Sequence, residues 1–388
     1  MQKETVPFVN KNNLVWCREK SGLTINQVYE KAKWSSKTHK IEKWEAGSDF
    51  PTIDDLKKLG KIYKKAWTLF VFEQDLKNLD FMVMKDFRGC ISDSKGEEKS
   101  EIIQFLNEIE RRQLFVIEFS NALEIIGNKS FGSLTEVKDV NVVANKIIQN
   151  LNLNMEEFRR KKTRLEALNF LQEELGRNNI FVSFSSTNPH KKISLEHMRG
   201  VLMRSFLAPI IGINSAEKSV GAKIFTIFHE LAHLYTEKVD HDVLIDTINF
   251  RDLGKRNTKE GLCDQIAAEI LVPRNILVEL KGTSFNPEIV KKYCIYLKVN
   301  REPFLIRAKE HGLISEQEFN SLKNISVEEQ IKKNKKGNPD GGLLHILKNG
   351  KSFMRLVNSL YSTGLISYSQ ALGALNTKSN AFNKYVIR

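Results

Sequence analysis

One short segment, Phe228-His229-Glu230-Leu231-Ala232-His233, constrains this chain more than any other. It lies in an apolar stretch whose hydrophobic side chains recur at helical spacing, which predicts a largely buried helix over 221–235. His229 and His233 are about one turn apart, so both imidazoles project from the same face. Burying polar groups without partners costs about 1–3 kcal/mol each. A metal ion between the two imidazoles would supply those partners directly.

A catalytic zinc site takes three protein donors and leaves a fourth position to water. The segment 260–273 predicts a second helix that ends before Pro273, with Glu260 and Asp264 one turn apart on it. Glu260 can ligate the metal, and Asp264 can accept an N–H from a ligand imidazole and so fix its tautomer. The pattern therefore predicts a metal site of His229, His233 and Glu260, with Zn²⁺ as the metal and Mn²⁺ as the other candidate.

Other donors stay open at this point. Cys263 follows Glu260 by three residues and is the main rival ligand, although a small buried core residue is its expected role. Glu269 lies about two and a half turns beyond Glu260, which places it on the opposite face. Asp240 and His241 fall in a polar stretch and are expected in an exposed loop. Without the upstream motif, a solvated helix face would be the preferred interpretation of Glu260 and Asp264, and with it the metal role is preferred.

The chemistry that suits these residues is metal-assisted peptide hydrolysis. Glu230 is predicted to take a proton from the attacking water and later to deliver a proton to the leaving amine. The group that stabilises the oxyanion is not assigned, and four side chains are candidates: His197, Arg199, Tyr235 and His241. Strands are predicted over 179–184 and 209–214, and a strand beside such a cleft can hold an extended peptide.

Residues 179–273 resemble the ImmA/IrrE family of bacterial metallo-endopeptidases. The resemblance rests on His229, Glu230, His233, Glu260, Asp264, Ala267, Ala268, Leu271 and Pro273. Cys263, Ile266 and Ile270 depart from the family pattern and leave the ligands untouched. The resemblance implies a zinc-like metal on His229, His233 and Glu260, and a protein substrate of the helix-turn-helix repressor type that is cleaved in a stress, phage or mobile-element response.

The N-terminal residues are similar to the xenobiotic-response-element type of helix-turn-helix domain. The similarity is carried by 14–28 and by Ile41-Glu42-Lys43-Trp44-Glu45-Ala46-Gly47. Thr24 is expected to cap the second helix, and Thr52 with Asp55 to start a later one. A bundle of short helices is implied.

This region carries an excess of cations, and five of them surround the presumed recognition helix: Lys33, Lys37, His39, Lys40 and Lys43. In the resembling domains that helix enters the major groove, so these side chains are the predicted DNA contacts. The stretch from Trp34 to Trp44 departs in length from the usual pattern. Recognition of a partner protein is therefore the alternative use.

Composition fits a cytoplasmic bacterial protein. The formal net charge is +13 and the pI is about 9.3, which suits nucleic acid or acidic partners. The four cysteines are scattered without a C-x-x-C pair, so no disulfide framework is expected. Neither a signal region nor an apolar run of transmembrane length is present, so no membrane partner is expected.

We therefore predict an α+β chain with an N-terminal all-α helix-turn-helix domain, a central zincin-like peptidase domain with a small mixed sheet and an H-E-x-x-H helix, and a helical C-terminal region. The predicted boundaries are 1–75, a helical linker at 76–175 that includes Asp86-Phe87-Arg88, the peptidase domain at 176–330, and a basic linker with two short helices (353–361 and 367–375) at 331–388. The predicted function is a DNA-coupled zinc endopeptidase. The alternative is a DNA-binding regulator, or an antitoxin with a cognate toxin, whose peptidase fold serves as a sensor or partner surface.

Overall fold

The computed structural model describes residues 5–63, 67–71, 97–186, 193–238, 243–244, 259–323 and 348–386. The chain divides into two compact units, 1–108 and 109–388. The described residues are mostly helical and include a small mixed sheet, which confirms the α+β class. Within the described residues, no helix is both long and apolar enough to cross a membrane.

Among residues 5–63, the first unit contains four short helices: α1 (Lys11–Lys20), α2 (Ile25–Ala32), α3 (Lys40–Ala46) and α4 (Ile53–Tyr63). Thr24 accepts a hydrogen bond from the Gln27 backbone N–H and forms a capping box, which confirms its predicted cap. Thr52 likewise accepts from the Asp55 N–H at the start of α4. Local sequence therefore sets where these helices begin.

The segment between α2 and α3 departs from a simple turn. It contains a 3₁₀ turn at Ser36–Thr38, and His39 then adopts a left-handed conformation with φ of 47° before α3 begins. Two contacts fix α3 against its neighbours: the Tyr29 hydroxyl donates to Glu42 at 2.5 Å, and Arg18 pairs with Glu45 at 2.6 Å. α3 itself has seven residues.

The helix α5 (Glu97–Glu118) spans the boundary between the units. Helices α6 (Val140–Asn150), α7 (Met155–Arg160) and α8 (Arg164–Arg177) follow, each capped by a side chain at its start. The caps are Asp139, Asn154 and Thr163, all residue types with an oxygen that accepts from the first turn. The predicted helical scaffold up to residue 175 therefore consists of separate helices, and Asp86-Phe87-Arg88 lies outside the described residues.

The sheet has the strand order β1 (Phe181–Phe184), β3 (Ile210–Ile213), β2 (Gly200–Met203), β4 (Val243–Leu244). β1 pairs with β3 in parallel, and β2 pairs with both β3 and β4 in antiparallel fashion. The two predicted strands are confirmed as β1 and β3, two residues shorter at the start in β1. β2 and β4 were not predicted.

Two helices carry the motif residues: α9 (Val220–Thr236) and α10 (Lys259–Leu271). α9 packs on β2 and β3, and α10 packs on α9. Both predicted helices are thereby confirmed, including the end of α10 before Pro273. Within residues 274–323, four further helices follow: α11 (Arg274–Glu279), α12 (Pro287–Tyr296), α13 (Arg301–Glu310) and α14 (Glu316–Lys323). Their apolar faces join α8, α9 and α10 in one continuous core. The close packing of this core therefore holds α9 rigidly.

The C-terminal helices α15 (Lys351–Ser362), α16 (Tyr368–Ala374) and α17 (Ser379–Tyr385) belong to this second unit. The Phe184 backbone N–H donates to the Lys348 carbonyl at 2.8 Å, so this segment occupies the outer edge of β1. Asn349 is fully buried, accepts from Arg112 Nε at 2.9 Å and donates to the Leu375 carbonyl at 3.1 Å. The two predicted tail helices are confirmed, and the basic linker at 332–342 lies outside the described residues.

Replacing Arg112 with Ala is expected to lower the free energy of unfolding by about 2–4 kcal/mol, because the buried Asn349 loses a charged partner and a cavity is left. Arg112 is 1% exposed, whereas the neighbouring Arg111 is exposed. Urea unfolding gives the free energy of unfolding of Arg112→Ala and of Arg111→Ala, two variants that lose the same charge. Similar stability of the two variants would show that the buried Arg112 contact contributes little.

Candidate metal centre

Three donor atoms converge where α9 and α10 pack together. His229 Nε2 and His233 Nε2 lie 3.0 Å apart, and each lies 3.4 Å from Glu260 Oε2. Both histidines are fully buried, while the Glu260 side chain is 45% exposed. Solvent therefore reaches the three donors from the Glu260 side.

A hydrogen bond to the other ring nitrogen fixes each imidazole. His229 Nδ1 lies 2.8 Å from Asp264 Oδ1, and His233 Nδ1 lies 3.1 Å from Glu237 Oε1. A carboxylate at Nδ1 requires an N–H there, which leaves the lone pair of the neutral ring on Nε2. Two such lone pairs and a carboxylate oxygen thus face one another, an arrangement that calls for a cation between them.

The electrostatics of the three donors follow the same arrangement. Burial disfavours the charged form of His229, but the carboxylates of Asp264 and Glu260 outweigh burial and raise its pKa to about 10. Burial also opposes charge on Glu260, yet hydrogen bonds from both histidines hold the pKa of that carboxyl well below its usual range. A cation bound among these donors would replace protons as the source of positive charge.

The spacing of the donors suits a tetrahedral ion. Zinc bonds of about 2.0–2.1 Å at tetrahedral angles separate neighbouring ligand atoms by about 3.3 Å. The observed separations of 3.0, 3.4 and 3.4 Å agree with that value. The described residues contain one group of at least three potential donor side chains close enough to share an ion, namely His229, His233 and Glu260. The cluster therefore fits a divalent metal.

Glu230 lies on the same helix, fully buried, and its carboxylate points towards the start of β2. A Cβ added at Gly200 would overlap Glu230 Oε1 and the methyl group of Thr226. Only a residue without a side chain permits this approach of strand to carboxylate. Gly200 is thus part of the site.

Sequence reasoning missed Gly200 and Glu237. Glu237 follows His233 by four residues, so helical periodicity would have placed it beside that ring. Its carboxylate also pairs with Arg204 at 3.0 Å, and although burial works against its charge, His233 and Arg204 lower the pKa of Glu237. No signal of comparable strength pointed to Gly200.

The rival donors lie elsewhere. Cys263 is 1% exposed and its Sγ lies 3.8 Å from the Thr236 hydroxyl, in keeping with the core role expected for it. Glu269 forms a buried ion pair with Arg307 on α13, on the far side of α10. Neither belongs to the cluster of three donors.

The four candidates for oxyanion stabilisation lie in different surroundings. The Tyr235 ring packs edge-on against Phe131, with centroids 5.5 Å apart, and therefore faces away from His229 and His233. Arg199 precedes Gly200 and pairs with Glu217 at 3.3 Å. His197 is partly buried in the turn before β2. His241 and Asp240 lie outside the described residues.

Residues 177–293 match the Peptidase_M78 family model, described as the IrrE N-terminal-like domain. The match contains His229, Glu230, His233, Glu260 and Asp264, and it covers less than half of the chain. A search of curated proteins and a search of solved structures each gave no match. The family match supports a peptidase domain of the ImmA/IrrE type over these residues.

Proposed function

We propose that this chain is a divalent-metal-dependent endopeptidase, with His229, His233 and Glu260 as ligands and Glu230 as general base. The observation that carries the proposal is the triangle of Nε2, Nε2 and Oε2 atoms at tetrahedral spacing, with Glu230 on the same helix. The family match supports the reaction class. Zn²⁺ is the proposed metal because two imidazoles and one carboxylate form a typical catalytic zinc set.

A metal held by these ligands would supply Lewis-acid activation of water and of the scissile carbonyl. Glu230 takes the proton of the attacking water on its carboxylate and then delivers a proton to the leaving amine. Burial of Glu230 beside Gly200 excludes bulk solvent from that carboxylate. Asp264 and Glu237 keep Nε2 of each imidazole unprotonated by holding an N–H at Nδ1.

The close approach of β2 to Glu230 leads to a prediction about the position of the Glu230 carboxylate, with the metal ligands left unchanged. Gly200→Ala is expected to displace the Glu230 carboxylate and lower kcat by about 100-fold, because misplacing a catalytic group by about 1 Å has that order of effect. Metal content is expected to be unchanged, since no ligand is touched. Gly282→Ala is unsuitable as a control because Gly282 has a positive φ. Gly373→Ala in α16 is the control, because a Cβ added there meets open space. Equal loss in both variants would contradict the role of Gly200.

The proposed substrate is a regulatory protein of the helix-turn-helix repressor type. The ImmA/IrrE likeness of the peptidase domain supports this class of substrate. The test is incubation of the purified, zinc-loaded chain with a candidate helix-turn-helix repressor from its own locus, with products mapped by mass spectrometry. A single cleavage that stops on chelation and returns with zinc supports the proposal, and an intact repressor would refute this substrate.

We further propose that the first unit binds DNA. Lys33, Lys37, His39 and Lys43 are exposed around α3, and Lys40 is partly exposed beside the Trp34 and Trp44 rings. A cluster of exposed cations on one short helix and the turn before it favours phosphate contacts.

Combined replacement of Lys37 and Lys43 with Gln is expected to weaken binding to the chain's own promoter and to reduce the salt dependence of log K by about two. Combined replacement of Lys57 and Lys61 with Gln, two exposed lysines on α4, is the control for the loss of two charges. Fluorescence anisotropy at several salt concentrations measures both quantities. Unchanged salt dependence in the double variant would remove this role from α3.

A further inference from the structure

A second cleft lies in the same unit, at the C-terminal end of α10. It has a volume of about 870 Å³ and is bounded by α6, α7 and α11. Its apolar lining includes Ile148, Leu153, Met155 and Ile270. The volume falls within the range of about 300–1,000 Å³ that is usual for ligand clefts.

Arg159 supplies an incompletely satisfied cation to this cleft. Its Nε is shielded from solvent and has no hydrogen-bond partner among the described residues, and its Nη2 reaches the Ile270 carbonyl only at 3.5 Å. The nearby acid Glu156 pairs with Arg160 at 2.9 Å. Burial lowers the pKa of Arg159, as expected of a guanidinium short of counter-charge. A carboxylate held in the cleft beside the guanidinium would supply the missing counter-charge.

The acidic residues of the cleft do not fill that need. Glu269 forms an ion pair with the buried Arg307 and accepts a hydrogen bond from the Arg274 backbone N–H at 3.0 Å. The Arg274 side chain is exposed at the rim and adds a second cation. Among the described residues that line the cleft, the exposed Glu279 at the edge is the remaining acid that offsets the two arginines. The cleft therefore favours an anionic occupant.

Side-chain amides line the rim: Asn141, Asn145, Asn154 and Asn275. Asn145 donates to Asn141 at 3.0 Å, which orders these two amides one turn apart on α6. The Asn154 oxygen accepts from the Glu157 N–H and the Asn141 oxygen accepts from Asn145, so these two side chains offer the cleft mainly their NH₂ donors. The oxygens of Asn145 and Asn275 can accept, and donors and acceptors of this kind match the carbonyl and N–H groups that an extended peptide leaves unpaired. A helix satisfies its own backbone groups and has no such need. The rim therefore favours an extended chain.

We propose that this cleft binds an extended peptide segment carrying an acidic side chain, with Arg159 as the residue that recognises the carboxylate. Its use as a holding site for the protein substrate rests on the proposed peptidase function. Glu260 and Ile270 are ten residues apart on α10, about 15 Å along the helix axis. A bound segment therefore lies at least about five extended residues from the cleaved bond.

The test measures binding in the Glu230→Gln variant, so that its outcome does not depend on hydrolysis. The probe is a short fluorescein-labelled peptide in which Glu and Leu alternate, flanked by Gly and Ser, together with a counterpart that has Gln for each Glu. Arg159→Gln is compared with Arg160→Gln, an adjacent exposed arginine with the same charge loss. Fluorescence anisotropy gives each Kd, and circular dichroism checks folding.

The acidic probe is expected to bind about tenfold more tightly than its Gln counterpart, the value of one charge-assisted hydrogen bond. Arg159→Gln should remove this preference, and Arg160→Gln should keep it. Arg274→Gln, at the exposed rim, serves in place of Arg159→Gln if the latter does not fold, and should reduce the preference. Equal affinity for the two probes, or equal effects at Arg159 and Arg160, would overturn the proposal, whatever the result of the cleavage assay.

Discussion

Glu230→Gln is expected to lower the rate of substrate hydrolysis by about 10²–10⁴-fold while leaving metal content unchanged. The amide keeps the shape of the side chain beside Gly200 but cannot accept the proton of the attacking water. The three ligand atoms on His229, His233 and Glu260 are untouched by the substitution. Single-turnover cleavage of the repressor, together with metal analysis of the same samples, measures both effects.

The control for this variant is Glu288→Gln, an exposed glutamate in the first turn of α12 with the same chemical change. It should cleave at the unaltered rate. Hydrolysis that continues at full rate in Glu230→Gln would remove Glu230 as general base. Loss of the metal in that variant would instead show that Glu230 is needed for metal binding.

Glu260→Ala is expected to weaken metal binding by more than about 100-fold, since loss of a direct ligand costs more than the 10–100-fold that loss of a supporting partner costs. Two imidazoles alone leave two coordination positions without protein donors. Titration of the metal-free chain with Zn²⁺ against a chromophoric chelator gives the affinity.

Cys263→Ala separates Glu260 from its rival on the same helix. Cys263 lies one turn further along α10 and has Thr236 as its neighbour. The Cys263→Ala variant should keep the affinity of the parent chain. If Glu260→Ala kept its affinity for Zn²⁺ and Cys263→Ala lost it, Cys263 and not Glu260 would be the third ligand.

The site elements with strong local signals were predictable from the sequence. The buried helix around His229 and the helix that ends before Pro273 follow from apolar periodicity and a proline stop. One-turn spacing put Glu260 and Asp264 on a common face, and the structure brings both to the His229 ring. The roles of these residues remain proposals, but their proximity followed from helical geometry.

What the sequence could not predict depends on contacts between distant segments. β2 has only four residues and begins at Gly200, a residue that weakens strand propensity, so its pairing with β3 defines it. The close approach of Gly200 to Glu230 joins positions thirty residues apart. The cleft at Arg159 likewise needs α6, α7 and α11 in place.

Crystallography of the zinc-loaded chain, with data collected on both sides of the zinc absorption edge, tests the central claim most directly. The anomalous peak is expected about 2.0–2.1 Å from His229 Nε2, His233 Nε2 and Glu260 Oε2, with a fourth position open to solvent. An anomalous peak bound elsewhere, with the three donor atoms unligated, would contradict the account.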